Sequence, residues 1–209
     1  MVGRIITDQA DIAEGMEWLS RHDKRFAQAY ELTGELPLRR KPEGFAELLS
    51  AIVSQQVSTA SAAAIWGRLQ TAGLVTPAAI RAGSDEDLRN CGLSRPKLRY
   101  ARALSEAELD FDALRSLPDE QVIARLIALP GIGAWTAEIY AMFSLGRADV
   151  FAHADLALQE GARGLLSLEA RPNERQMRAI AAAWSPWRAV AARLLWAYYR
   201  VLKQREGVR

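Results

Sequence analysis

Leu129-Pro-Gly-Ile-Gly-Ala-Trp-Thr-Ala137 is the stretch on which the reading of this chain turns. Two glycines one residue apart let a backbone bend sharply and keep side chains clear of the bend. Helical periodicity opens at Pro118, runs to about Ala128, and resumes over Ala134–Ser144, so the glycines join two predicted helices. The N–H groups of such a turn, and of the start of the helix after it, can meet a phosphate directly. A Gly-x-Gly turn also serves as a plain helix–helix connection, so the nonapeptide alone leaves both readings open.

Outward from the turn, almost every segment repeats at helical period with short loops between. Asp8 caps a predicted helix to about His22, and Asp23 caps another ending near Gly34, before a connector at Leu36-Pro-Leu-Arg-Arg40. Further helices are expected at about Phe45–Ser54, Ser58–Gln70, Ser84–Asn90 and Pro96–Glu108. Beyond the turn, Asp155 starts one helix and a short one lies near Asn173–Ala183. Ser185-Pro186 reads as an N-cap followed by a first-turn proline, opening a long helix to about Arg205. No window shows sustained strand alternation, and the fold class is therefore all-α.

Composition narrows the chemistry. The chain has 209 residues, 50% of them apolar and 25% charged, enough to build one compact body or two small lobes. A single cysteine, Cys91, excludes a disulfide framework, a four-thiolate iron–sulfur cluster and a structural Cys-zinc site. Cys91 itself reads as a small core residue. Two histidines make a His-rich metal centre a poor expectation. The first eight residues have no apolar core of signal-peptide length, and the longest charge-free run, Leu48–Gly67, holds Gln55, Gln56 and several Ser and Thr. That run reads as buried helix and not as a membrane span; the expectation is a cytoplasmic protein. Net charge is only +2, but Glu160–Arg209 carries ten Lys or Arg against four Glu, a local excess of +6. Arg95, Lys97, Arg99 and Arg102 form a second basic cluster. Such a distribution suits a polyanionic partner, and suits a solvated helix face equally well.

Three further blocks settle the direction. Ala51-Ile-Val-Ser-Gln-Gln-Val-Ser58 lies upstream of the turn. Asp149-Val-Phe-Ala-His-Ala-Asp-Leu-Ala-Leu158 and Trp184-Ser-Pro-Trp-Arg-Ala-Val-Ala-Ala-Arg-Leu-Leu-Trp196 lie downstream. In this order and spacing, the four blocks resemble the helix–hairpin–helix DNA glycosylase superfamily, and within it the DNA-3-methyladenine glycosylase II branch, over roughly Phe45–Lys203. The resemblance implies a two-lobed all-α fold with an active-site cleft between the lobes. Residues 1–44 with about 145–209 would form one lobe. About 45–144 would form the other, carrying the hairpin at 129–137. It implies an enzyme of base-excision repair acting on double-stranded DNA; action as a monomer is the default expectation. A damaged nucleotide would be flipped out of the duplex and its N-glycosidic bond hydrolysed, with alkylated purines as substrate and an abasic site as product. Family members with an extra N-terminal β-rich domain exist; here the roughly 44 residues before the first block read as helix, which resembles the shorter form. A non-catalytic helix–hairpin–helix DNA-binding protein, or a glycosylase for deaminated or oxidised bases, are the competing readings.

Residue by residue, Asp155 matches the catalytic aspartate, and it also reads as a helix N-cap. The two are compatible, because backbone donors and the helix dipole favour the carboxylate form. Asp149 is the competitor and is given a structural role. Trp135 stands where bifunctional, strand-cutting relatives place a Schiff-base lysine. Its alternative is core packing in an apolar stripe with Ile139, Met142 and Phe143. Trp196 matches an aromatic that lines the base pocket, and Ile139 stands where that branch has a tyrosine. Trp196 and Trp187 lie about half a turn apart around one helix, so one can pack in the core while the other faces the cleft; burial of both is the alternative. Gln56 matches the wedge that fills the gap left by a flipped base, or is a polar helix-linking turn. Pro130, Gly131, Ile132, Gly133, Ala134 and Thr136 would meet DNA at the hairpin. The main-chain carbonyls of Ile127, Leu129 and Ile132 match positions that hold a structural monovalent cation, Na+ or K+; no other cofactor is implied. His153 could reach DNA or be bonded locally.

Overall fold

A computed structural model describes residues 2–206. Its helices are α1 (Gln9–His22), α2 (Lys24–Thr33), α3 (Phe45–Ser54), α4 (Thr59–Thr71), α5 (Pro77–Ala82), α6 (Asp85–Asn90), α7 (Arg95–Glu106), α8 (Phe111–Ser116), α9 (Asp119–Ile127), α10 (Ala134–Phe143), α11 (Leu156–Leu166), α12 (Glu174–Ala181) and α13 (Arg188–Glu206). A 3-10 turn, Ala182–Trp184, follows α12. Among the described residues the one β-type pairing is an antiparallel bridge between Ile5 and Arg147. The class is all-α.

The helix starts follow local chemistry. Asp8 accepts from the N–H groups of Ala10 and Asp11, and Asp11 answers to the backbone of Asp8, a capping box. Asp23, Ser58, Thr76, Ser84, Asp110, Asp155 and Asn173 each cap the helix that follows with a side-chain oxygen. α5 and α8 were not anticipated. At six residues each they give periodicity little to register, even though Thr76-Pro77 and Asp110 are start signals as ordinary as the Ser84 that marks the equally short α6. Another departure is at Ser185-Pro186. The long helix starts at Arg188, and the Ser185 hydroxyl donates instead to Asp149 Oδ2 at 2.7 Å. The charge-free run Leu48–Gly67 is two helices broken at Gln55–Ser58. The first buries Leu48, Leu49, Ile52 and Val53, whereas Ala60, Ala63 and Ala64 of the second are exposed.

The chain divides into two compact units. One is formed by the residues up to Arg40 with those from Glu138 onward; the other is Lys41–Ala137, and the division falls inside α10. In the first unit α13 packs on α1, α2 and α11, burying Ile12, Met16, Phe26, Leu158, Leu194 and Leu195. In the second unit α7 packs on α3, α5 and α6, over a core that includes Leu49, Ile52, Ile80, Leu88, Leu98 and Leu104. Among the described residues no helix is long and apolar enough to cross a membrane.

One contact in the first unit sets the geometry that matters below. A Cβ at Gly161 on α11 would stand 2.6 Å from the Leu195 carbonyl oxygen of α13. The two backbones touch there, and only glycine allows it. That approach brings Trp196, the next residue of α13, to the N-terminal end of α11.

Candidate active site

Asp155 is the N-cap of α11 and is half-buried. Its Oδ1 accepts from the Leu158 backbone N–H at 3.0 Å and from the Trp196 indole N–H at 3.2 Å. Two donors and the positive end of an eleven-residue helix thus converge on one carboxylate. The bond from Trp196 has no counterpart in the sequence reading, since the residues lie 41 apart.

The wall beside it is aromatic and underlain by a cation. Trp196 is half-buried, and its ring centroid lies 5.7 Å from that of Phe143. Arg193 lies over the Phe143 ring at 4.8 Å and donates to the carbonyls of Ala189 and Leu38. Burial, with the cations Arg39 and Arg40 adding to it, brings the Arg193 guanidinium down to about 10, so it keeps its charge at pH 7. Trp187, by contrast, precedes α13 instead of sharing its helix with Trp196, and is buried beneath the Arg4 guanidinium.

The loop that delivers Asp155 is pinned at alternate residues. Asp149 takes a two-pronged contact from Arg188, at 2.7 and 2.9 Å, besides the Ser185 hydroxyl. The Phe151 ring packs against Trp184 at 5.6 Å. His153 is buried; its Nδ1 lies 3.2 Å from Glu138 Oε1, and its carbonyl accepts from Gln159 Nε2 at 2.9 Å. His153 therefore points into protein and not toward a partner. Glu138, equally buried, carries no signal in the sequence beyond being an acidic residue on an otherwise apolar helix.

The hairpin belongs to the second unit. Its two glycines do different jobs. Gly131 has φ +87°, and a Cβ there would stand 2.3 Å from Tyr100 Cγ, so the turn has neither the conformation nor the room for a side chain. Gly133 is exposed, and a Cβ there would meet nothing within 4 Å. Nothing in the protein requires Gly133 to be bare. Ile132 N–H closes the turn onto the Leu129 carbonyl at 3.0 Å. Ile132 and Thr136 are buried, Gly131, Leu129 and Ala134 are half-buried, and Pro130 and Ile127 are exposed. Trp135, at 45% exposure, is not the core residue its apolar stripe allowed; Met142 and Phe143 are, and Ile139 is half-buried.

Gln56 is exposed and holds a left-handed φ of +55°. Its neighbour Gln55 reaches back to the hairpin, where its amide donates to the Gly131 carbonyl at 2.8 Å. Below that loop the buried Lys97 ammonium donates to the Val53 carbonyl near the end of α3, at 2.7 Å, and burial holds its pKa below the usual lysine value. Cys91 is a buried free thiol. Among the described residues no group of three or more His, Cys, Asp or Glu is arranged to hold a metal ion.

Residues 49–187 match the model of the HhH-GPD superfamily of base excision DNA repair proteins, and the chain belongs to that superfamily. It is 32% identical over 190 residues to DNA-3-methyladenine glycosylase 1 of Schizosaccharomyces pombe, covering 85% of this chain and 83% of the relative. Among solved structures it resembles a DNA-3-methyladenine glycosidase from Bacillus halodurans, with TM-score 0.83, 34% identity, and 98% and 95% of the two chains covered. It also resembles the Schizosaccharomyces pombe 3-methyladenine DNA glycosylase in complex with abasic DNA, with TM-score 0.74, 31% identity, and 88% and 95% covered.

Proposed function

We propose that this chain is a monofunctional DNA glycosylase of base-excision repair. It flips alkylated purines of the 3-methyladenine and 7-methylguanine type out of double-stranded DNA and hydrolyses the N-glycosidic bond to leave an abasic site. The carboxylate of Asp155, held by a backbone N–H and an indole N–H at the head of α11, carries the reading. The C1′–N bond breaks with its electron pair leaving on the base, and the sugar becomes an oxocarbenium ion. The fixed carboxylate stabilises that positive charge more than it stabilises the neutral sugar, which lowers the barrier. Water then adds to C1′ and gives its proton to the carboxylate or to solvent.

The leaving base fits an aromatic surround. N3- and N7-alkylated purines carry positive charge, and a cation over an indole face gains roughly 0.5–2 kcal/mol. Trp196, half-buried beside Asp155, is one such indole; for Trp135 and Ile139 of α10 a place in the base pocket rests on the family resemblance. At Trp135 an indole replaces the amine that an imine would need, which supports hydrolysis without strand cleavage. Binding of the backbone falls to the bare Gly133 and the N–H groups that open α10, from Ala134 to Thr136. Gln56 is the wedge. The carbonyl of Leu129 still has a lone pair beyond its bond from Ile132 and, with those of Ile127 and Ile132, would hold a monovalent cation, which would supply positive charge for binding phosphate. The enzyme works as a monomer, in the cytoplasm with the DNA.

Asp155→Asn tests the reading. Asn caps helices about as well as Asp, so the fold should hold apart from a dipole contribution of roughly 0.3–1 kcal/mol. Loss of the charge should cost about 3 kcal/mol or more at the transition state, at least a hundredfold in single-turnover excision of 7-methylguanine. Binding to lesion-containing DNA should survive, and Asp149→Asn should stay active. A folded Asp155→Asn enzyme excising at the wild-type rate would make Asp155 a cap and nothing more.

A further inference from the structure

Beyond the carboxylate itself, we infer that His153 is a positioning residue: Glu138 and Gln159 grip it at both ends, and that grip fixes where Asp155 stands. The inference rests on the assignment of Asp155 as the catalytic group. Three observations support it. First, both members of the pair are buried, with His153 at 4% exposure and Glu138 at 6%, and they meet at 3.2 Å. A carboxylate and an imidazole taken out of water are costly unless paired, so this contact holds the ring in one orientation. Second, the histidine is held by backbone as well as side chain. Its carbonyl accepts from Gln159 Nε2 at 2.9 Å, and Gln159 lies in α11, the helix that Asp155 caps. Third, the loop has small residues on either side of the histidine, Ala152 and Ala154, which offer no side-chain anchor of their own. Between the Phe151 ring and Asp155, His153 carries the side-chain anchoring, alongside the Asp155 N–H that closes onto the Ala152 carbonyl at 3.0 Å.

The arrangement sets Asp155 by two routes that converge. From α10, Glu138 fixes the ring two residues before it. From α11, Gln159 fixes the peptide group between, while Leu158 N–H holds the carboxylate itself. A carboxylate that must face a charge developing on one carbon has little tolerance for displacement, and a shift on the order of 1 Å can cost about a hundredfold. His153 Nε2 and Glu138 Oε2 have no protein partner, so the side-chain grip runs through Nδ1 alone. That identifies the conservative variant. The amide nitrogen of asparagine can occupy the place of Nδ1 and donate to Glu138, whereas leucine keeps the volume and loses the bond.

The test measures single-turnover excision of 7-methylguanine and binding to a duplex carrying a tetrahydrofuran abasic analogue. His153→Leu, His153→Asn, Gln159→Met and Asp155→Asn are compared with the parent chain. His153→Leu should lower the saturating rate tenfold or more with dissociation constants within threefold, and His153→Asn should recover most of the rate. Gln159→Met removes only the bond to the carbonyl; it should slow excision at least threefold, and it decides the matter if His153→Leu does not fold. Folded His153→Leu at the parent rate, His153→Asn as slow as His153→Leu at equal melting temperature, or Gln159→Met at the parent rate would each overturn the inference. Asp155→Asn separates the two claims: if it excises normally, the catalytic assignment fails whatever the others do.

Discussion

Alanine at Gly131 and alanine at Gly133 should have opposite effects, because the protein needs the first glycine and only a partner needs the second. At Gly131 the backbone sits at φ +87°, and a residue with a Cβ pays roughly 1–2 kcal/mol there. The added carbon would also stand 2.3 Å from Tyr100 Cγ and 2.5 Å from Cδ2, so the ring must move. Overpacking of this kind costs about 1–3 kcal/mol. Together these give about 2–5 kcal/mol, and at ~2–4 °C per kcal/mol for a chain of this size the melting temperature should fall by at least roughly 4 °C. At Gly133 there is no such φ and no atom within 4 Å, so alanine should leave stability unchanged or raise it by about 0.4–1 kcal/mol through the unfolded chain. DNA should reverse the order. Fluorescence anisotropy with an undamaged and a lesion-containing duplex should show Gly133→Ala weakened on both, and Gly133→Leu weakened further. Thermal melts followed by circular dichroism supply the other half. A Gly131→Ala protein as stable as the parent would refute the strain argument. Gly133→Leu weakened only on the damaged duplex would assign the turn to the base pocket and refute the hairpin reading.

Borohydride added during turnover should trap no protein–DNA adduct, and the abasic strand should stay intact; a trapped complex would overturn the hydrolytic assignment. Trp196→Ala should slow excision of cationic 7-methylguanine more than that of neutral hypoxanthine, and equal losses would assign the indole to packing. Affinity for undamaged duplex should fall linearly on a log–log plot as salt rises, as phosphate contacts require. Arg25 beside Asp23 holds that carboxyl below its ordinary value, so the folded state binds fewer protons than the unfolded one. The stability this contributes is present above the unfolded carboxyl's pKa near 3.8 and is lost as pH falls through the lower folded value. Urea midpoints at pH 5 and pH 3 should therefore differ less in Asp23→Asn than in the parent chain.

What the sequence shows and hides divides by range. Asp8, Asp23, Ser58 and Asp155 announce helix starts because a cap is a bond across two or three residues. Ser185-Pro186 carries the same signature and misleads. Its hydroxyl meets Asp149, 36 residues away, and a tertiary partner outcompetes the local one. Asp155, Trp196 and the glycine turn were found as residue types in familiar surroundings. The bonds that organise them were not, because Trp196 to Asp155 spans 41 residues, Gln55 to Gly131 spans 76, and Glu138 to His153 spans 15. His153 illustrates the gap best. As a loop histidine it looks available to DNA, and only the packing of α10 behind it shows that it faces inward. Trp135 errs the other way, since periodicity reports that a face is apolar and is silent on what, if anything, covers it.

The division of the chain also has a consequence for its synthesis. Lys41–Ala137 is contiguous, so all its parts are present once residue 137 has been made. The other unit is built from both ends of the chain: α1 and α2 pack on α13, which starts at Arg188. At about 5–20 residues per second, the ribosome needs on the order of ten to thirty seconds to travel from the end of α2 to that point. Throughout that interval Met16, Leu19 and Phe26 have no α13 to lie against. These two helices leave the tunnel long before they can be buried, and a nascent chain stalled between α2 and Arg188 presents an apolar helical hairpin that a chaperone can hold.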